Sequence, residues 1–139
     1  MQILVVEDDA VLAMACAMAL EDAGHTVVGP VHETESFLAI PGFDGIDLAL
    51  LDINLAGGNE GLELASQLRQ HRVPVLFVSG QLGAARDNAD LALGLLRKPY
   101  DVEDLLDSIA YLQDSRLPAS VTTLQKPAAL EIFGSNERP

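Results

Sequence analysis

The chain has 139 residues, the length of a single domain, and 49% of them are hydrophobic, which is enough to build a substantial core. Aromatic residues make up 4% and tryptophan is absent, so an interior of aliphatic side chains is predicted. The formal net charge of −13 disfavours direct binding to nucleic acid, because an acidic domain repels phosphate backbones.

The sequence shows neither a secretion signal nor a membrane span. It has no basic leader followed by an apolar core, and its longest apolar run, at 10–20, is too short to cross a bilayer. The single cysteine, Cys16, excludes an intrachain disulfide and is typical of a reducing compartment. We therefore expect a soluble cytoplasmic protein that makes no membrane contact.

Strand-like and helix-like segments alternate along the first four fifths of the chain. Strands at this spacing from one another are joined by right-handed crossovers, so the pattern predicts an α/β fold with a doubly wound, five-stranded parallel sheet. In chain order, the predicted elements are strand 2–6, helix 10–23, strand 25–29, helix 34–40, strand 47–51, helix 60–71, strand 75–78, a short helix near 84–91, strand 94–96 and helix 102–112.

The ends of two helices and the C-terminal tail carry local signals. Gly24 is predicted to close the first helix, and Asp101 to cap the last one, with Asp104 three residues further on. Beyond the last helix there is no long periodic pattern and two prolines interrupt the chain. We predict a domain over residues 1–113 and a poorly fixed tail over 114–139 without an output domain, in which 128–133 forms at most a turn or two of helix.

Four of the short apolar runs are followed at once by a charged or hydroxyl side chain. The carboxyl ends of parallel strands meet at one edge of a sheet, so these side chains are predicted to converge there. Taken singly, each residue has a simpler interpretation as a helix cap, a turn or a loop, but their common placement favours a site. The residues are Glu7, Asp8, Asp9, Asp52, Ser79 and Lys98.

These residue types fit the transfer of a phosphoryl group to a carboxylate. An aspartate can accept that group only if a divalent cation and a fixed positive charge remove the repulsion between its own charge and the donor's oxygens. Asp52 is the candidate nucleophile, Lys98 supplies the fixed charge, and the Ser79 hydroxyl donates to a phosphoryl oxygen. Mg²⁺ is the predicted cation, and its predicted ligands are Glu7, Asp8, Asp52 and the backbone carbonyl of Asn54.

Over about residues 1–113 the sequence resembles the receiver domain of bacterial two-component response regulators. The motifs that carry this resemblance are VVEDD, LLDINL, FVSG and RKPY. It implies a flavodoxin-like strand order 2-1-3-4-5, a phosphoryl group passed to Asp52 from a histidine kinase or phosphotransfer protein, and a cis peptide bond before Pro99. Glu7 and Asp8 match the acid pocket, Ser79 the switch hydroxyl and Lys98 the lysine. Such a protein is not a conventional enzyme, although it catalyses its own Mg²⁺-dependent phosphorylation and dephosphorylation.

The chain also departs from the usual receiver pattern. Leu95 stands where receivers usually carry Phe or Tyr as a switch residue, and the stretch between Ser79 and Lys98 is short and contains Gly83, which predicts a short or mobile fourth helix. These departures are similar to a subgroup of receivers, many of them single-domain, that pair with HWE-type histidine kinases. We therefore predict a stand-alone receiver that signals through protein contacts or acts as a phosphate sink, with homodimer formation left open.

Two rival functions were weighed against this prediction. A phosphohydrolase resembling haloacid dehalogenases is disfavoured, because its nucleophile belongs on the first strand with a second acid two residues later, whereas Asp52 follows the third strand and position 54 is Asn. The absent aromatic at Leu95 favours an interaction module of receiver fold that works without phosphorylation. Asp52 and Lys98 argue against that alternative.

Overall fold

The computed structural model describes residues 1–31, 43–53, 60–114 and 125–133, so the helix predicted at 34–40 lies outside the described residues. In these ranges no helix is long and apolar enough to cross a membrane. The elements are β1 (Gln2–Val6), α1 (Ala10–Asp22), β2 (Thr26–Val31), β3 (Leu48–Asp52), α2 (Glu60–Gln70), β4 (Val75–Ser79), α3 (Leu82–Asp87), a 3-10 turn (Ala89–Leu91), β5 (Gly94–Arg97), α4 (Val102–Asp114) and β6 (Leu130–Ile132).

The strands form one six-stranded sheet in the order β2-β1-β3-β4-β5-β6. The first five strands are parallel, which confirms the predicted order 2-1-3-4-5, but β6 adds an antiparallel sixth strand beside β5. The prediction of a helical turn at 128–133 is therefore wrong, and part of the predicted tail belongs to the sheet. Without β6, the backbone groups along one side of β5 would be an open edge, and pairing satisfies them.

Helices cover both faces of the sheet. On one face, α1 and α4 place Cys16, Leu20, Leu105 and Ile109 against alternate residues of the central strands. On the other face, α2 and α3 bury Leu64, Leu68 and Ala85 against the remaining ones. Because β1, β3 and β4 are enclosed on both faces, their residues are apolar except for Gln2, Asp52 and Ser79 at their ends, as expected for the interior of a parallel sheet.

Helix boundaries follow the predicted caps. The carboxylate of Asp9 accepts hydrogen bonds from the N–H groups of Val11 and Leu12 at 2.9 and 3.1 Å, so this acid caps α1. Before α4, the Asp104 N–H donates to Asp101 at 2.8 Å while the Asp101 N–H donates to Asp104 at 3.2 Å. This reciprocal arrangement confirms Asp101 as a cap and fixes where the chain turns away from β5.

The helix after β4 is short, as the glycine content predicted. It spans the six residues Leu82–Asp87 and is followed by a single 3-10 turn. A Cβ added at Gly83 would meet nothing within 4 Å, so packing does not require a glycine there. Glycine weakens a helix at such a position, which limits the stability of α3.

Candidate functional site

The site is built where β1, β3, β4 and β5 end. The register pairs Val6 with Leu51, Asp52 with Val78, and Ser79 with Arg97, so the ends of the four strands lie side by side. Glu7 and Lys98 follow β1 and β5 directly. The topology therefore brings together side chains that are far apart in sequence, at the edge where open α/β sheets place their sites.

Lys98 holds two buried carboxylates. Its ammonium nitrogen lies 2.9 Å from Oε1 of Glu7 and 3.1 Å from Oδ2 of Asp52. Glu7 and Asp52 are only 7% and 6% exposed, while about a quarter of the Lys98 side chain reaches solvent. One cation thus serves two anions in a partly desolvated pocket, which confirms that the predicted nucleophile and the predicted fixed charge are neighbours.

The pocket carries more negative charge than Lys98 offsets. Burial raises the pKa of Glu7, and the neighbouring Asp52 carboxylate contributes in the same direction, against hydrogen bonds from the Asp9 N–H and from Lys98. Burial alone would lower the pKa of Lys98, but its bonds to the two acids outweigh this effect and raise it. An additional cation would stabilise such a pocket, since it relieves the repulsion between the acids.

The donor set therefore fits Mg²⁺, which prefers carboxylate oxygens and retains water. Glu7 and Asp52 present buried carboxylates, and Asp8 follows Glu7 as an exposed acid. Asn54 lies outside the described residues, and within the described part of the chain no three or more acid, histidine or cysteine residues form a metal-binding group. The four-ligand set remains a prediction.

Ser79 is almost fully buried at the end of β4. Its hydroxyl oxygen accepts a hydrogen bond from the Gln81 N–H at 2.9 Å, and its carbonyl accepts from the Lys98 N–H at 3.0 Å. The turn interpretation of Ser79 is therefore confirmed. Its site role stays a prediction that the turn does not exclude, because an accepting hydroxyl can still donate its own proton. The Lys98–Pro99 bond is cis, as the resemblance implied.

Two features of the site were not visible in the sequence. A Cβ at Gly61, on α2, would lie 2.7 Å from the backbone of Ile53 and 2.8 Å from the Asp52 carbonyl oxygen, so a glycine there lets the helix approach the chain beside Asp52. Beneath the site, Tyr100 and Cys16 line a small pocket together with Glu7 and Asp52, and burial raises the pKa of Cys16 to about 11, which keeps the thiol neutral. Neither contact leaves a signal in a single sequence.

The family of the chain follows from its sequence as well as from this geometry. Residues 3–110 match the response regulator receiver domain family. The chain therefore belongs to the receiver domains of two-component response regulators.

Individual relatives are similar at a lower level. The chain is 35% identical over 112 residues to the aerobic respiration control protein ArcA of Escherichia coli K12, an alignment that covers 74% of this chain and 44% of that protein. It is 28% identical over 120 residues to the phyllosphere-induced regulator PhyR of Methylorubrum extorquens, covering 82% and 45%. It is 25% identical over 114 residues to the transcriptional regulatory protein PdtaR of Mycobacterium tuberculosis, covering 78% and 54%. The chain spans about half the length of the curated relatives it matches.

Solved structures share the fold. The CheY-like receiver domain protein of Methanospirillum hungatei JF-1 matches with a TM-score of 0.70 at 27% identity, covering 83% of this chain and 94% of that one. The receiver domain of the TMAO respiratory system response regulator TorR also matches with a TM-score of 0.70 at 27% identity, covering 84% and 98%.

Proposed function

We propose that this chain is a stand-alone cytoplasmic receiver that accepts a phosphoryl group on Asp52 from a histidine kinase or a histidine phosphotransfer protein. The observation that carries the proposal is the pair of contacts from Lys98 to Asp52 and Glu7 in a buried pocket. Phosphoryl transfer needs a carboxylate nucleophile beside a fixed cation, and this pocket supplies both.

In the proposed reaction, a carboxylate oxygen of Asp52 attacks the phosphorus of a phosphohistidine. The new P–O bond forms as the P–N bond breaks, the imidazole nitrogen keeps the electron pair of that bond, and the product is an acyl phosphate on Asp52. The Lys98 ammonium compensates charge on the phosphoryl oxygens, and the Ser79 hydroxyl donates to one of them. Mg²⁺, when bound by Glu7, Asp8, Asp52 and the Asn54 carbonyl, supplies the remaining charge neutralisation.

The outward face of α1 supports docking of a helical phosphotransfer domain. Cys16 and Leu20 of this helix are buried against the sheet, whereas Val11, Met14 and Met18 are 78%, 55% and 57% exposed. The methionine-bearing side of α1 therefore faces outward. Methionine adapts its shape to a partner's surface, which suits a docking face close to the phosphoacceptor.

We further propose that the partner is an HWE-type or related kinase, and that the signal leaves through protein contacts or is consumed in a phosphate sink. The short α3 and the fully buried Leu95, where receivers usually have an aromatic switch, support this assignment.

We also propose that the side chains of Asn54 and Gln81 set the lifetime of the acyl phosphate. Substitution of either residue should alter the rate at which the acyl phosphate decays.

The second candidate is an interaction module of receiver fold that works without phosphorylation. Leu95 favours it, because an aliphatic side chain in the core cannot make the usual aromatic rotation. The charged pocket argues against it, since two buried carboxylates are costly to keep without a chemical role.

Intact-protein mass after incubation with acetyl phosphate, with and without Mg²⁺, separates the two candidates. A single phosphoryl gain that needs Mg²⁺ and disappears in Asp52→Ala supports the receiver chemistry. Asp87→Ala, which removes an exposed acid from α3, is the matched control and should be phosphorylated like the native chain. A folded native chain that gains no mass would favour the interaction module.

A further inference from the structure

The C-terminal strand β6 is seated along the open side of β5. Leu96 pairs with Leu130, and Gly94 with Ile132, in antiparallel register. Leu130 is 1% exposed, and the ring of Phe133 lies edge-on to Phe77 of β4 with 6.5 Å between centroids. Residues 125–133 are therefore arranged like a bound peptide, although they belong to the same chain. Backbone pairing and two apolar anchors attach them to the sheet.

The position of β6 is specified by an ion pair with α3 and by the space that a glycine leaves on β5. Arg86 of α3 donates two hydrogen bonds to the carboxylate of Glu131, at 2.7 and 2.9 Å. On β5, a Cβ at Gly94 would overlap the carbonyl oxygen of Glu131, so the glycine allows the strand to approach. The Arg86 side chain is half exposed, and an exposed ion pair stabilises only weakly, so the attachment is easily altered.

Arg97 and Arg86 both attach the strand, and both are close in the chain to residues of the phosphoacceptor pocket. Arg97, which precedes Lys98, donates its backbone N–H to the Ala129 carbonyl at 2.9 Å, and its guanidinium donates to the Ala128 carbonyl. Arg86 lies on α3, the helix that starts after the Gln81 N–H bonded to the Ser79 hydroxyl.

An open cleft lies beside the site and the residues that precede β6. Its volume is about 410 Å³, and its lining includes Gly80, Lys98, Ala128 and Ala129. The loop after β4 and the start of the tail segment therefore both border open space.

We propose that the β5 edge and Arg86 form a strand-binding groove whose ligand is the chain's own segment 125–133, and that the phosphorylation state of Asp52 sets how tightly this segment is held. The second part rests on the proposed function. The groove selects an extended peptide with an acidic residue between two apolar ones, which is the pattern of Leu130, Glu131 and Ile132.

Phosphorylation of Asp52 changes two contacts of the segment. The Arg97 contact is reached through Lys98, and the Arg86 contact through Ser79. A phosphoryl group at Asp52 attracts the Lys98 ammonium and the Ser79 hydroxyl. When the hydroxyl turns toward the phosphoryl group, its bond to the Gln81 N–H weakens and the start of α3 shifts together with Arg86. Since Arg97 is the neighbour of Lys98, its hold on the carbonyls of 128 and 129 changes at the same time. The segment is therefore held less tightly in the phosphorylated protein.

Hydrogen-exchange mass spectrometry on the full chain tests the coupling. Phosphorylation by acetyl phosphate with Mg²⁺ should raise amide exchange across 125–133 about tenfold, and Asp52→Ala under the same conditions should show no change. Intact mass on the same samples reports the phosphorylated fraction. Full phosphorylation with unchanged exchange would overturn the coupling and leave the proposed function standing, whereas an absent mass gain would overturn both.

Charge-reversal variants test the groove independently of phosphorylation. Arg86→Glu and Glu131→Arg should each raise exchange across 125–133 in the unphosphorylated chain, and the double variant should restore protection. Arg69→Glu, an exposed arginine at the end of α2, is the matched control and should leave that segment unchanged. Far-UV circular dichroism confirms that each variant is folded. Equal exchange in both single variants and the native chain would overturn the groove.

Discussion

The ammonium nitrogen of Lys98 lies 3.1 Å from Oδ2 of Asp52, although 46 positions separate the two residues in the sequence. The same nitrogen lies 2.9 Å from Oε1 of Glu7, 91 positions away. Parallel strands that end at one edge bring these groups together, and the apolar strands beneath exclude water from them. The ionisation of Glu7 and Lys98 is therefore linked to the stability of the fold.

The first prediction concerns pH. The pKa of Glu7 in the folded chain is raised above its ordinary value of 4.5, so between pH 4.5 and the raised pKa the native state binds more of this proton than the unfolded state does. The stabilisation is fully present below pH 4.5 and is lost as the pH rises through the folded pKa. We expect the free energy of unfolding, measured with urea at a series of pH values, to fall above pH 4.5, and Glu7→Gln to flatten this slope.

Glu131 provides a control with the opposite pH dependence. The hydrogen bonds from Arg86 lower its pKa, so its contribution is present above 4.5 and is lost as the pH falls through the folded value. Glu131→Gln should therefore reduce acid sensitivity below pH 4.5 and leave the slope above it unchanged. A Glu7→Gln variant with the native slope above pH 4.5 would contradict the assignment.

The second prediction concerns the start of α4. Asp101→Ala removes the acceptor for the Asp104 N–H, and loss of such a cap costs about 1 kcal/mol. Asp107→Ala, an exposed acid within the same helix, is the matched control and should change the free energy of unfolding by less than about 0.5 kcal/mol. Equal effects of the two substitutions would argue against capping.

The third prediction uses one substitution at two glycines. Gly83→Ala should stabilise the protein by about 0.5–1 kcal/mol, because the position is helical and the added methyl group meets open space. Gly24→Ala also meets no neighbour, but its φ of +95° is strained for alanine, so this variant should be destabilised. Urea denaturation measures both, and a shared sign would refute the argument.

The fourth prediction concerns kinase docking. Met14→Glu combined with Met18→Glu should slow phosphotransfer from a cognate kinase about tenfold, since charge replaces exposed apolar contact area on α1. Phosphorylation by acetyl phosphate should be unchanged, because it requires no docking surface. Leu93→Glu, at a 40% exposed position before β5, is the control and should leave both rates intact. Equal loss with both donors would sink the docking role.

Much of the fold was predictable because its signals are local. Short apolar runs and caps such as Asp101 identify the strands and helix ends, and Asp52, Ser79 and Lys98 stand out because each follows such a run. The alternation of elements then places their ends at one edge, since right-handed crossovers leave few topologies open.

The sixth strand and the sharing of Lys98 could not be predicted in this way. The alternation in β6 covers only three residues, too few to predict a strand. Their conformation follows from the open side of β5 and from Gly94, which lies 36 positions before Leu130 in the chain. Likewise, the charge of Lys98 is visible in the sequence, but its division between Glu7 and Asp52 depends on distances across the sheet. Periodicity and capping act over a few residues, whereas strand pairing and the ionisation of buried groups depend on neighbours that only the folded chain brings together.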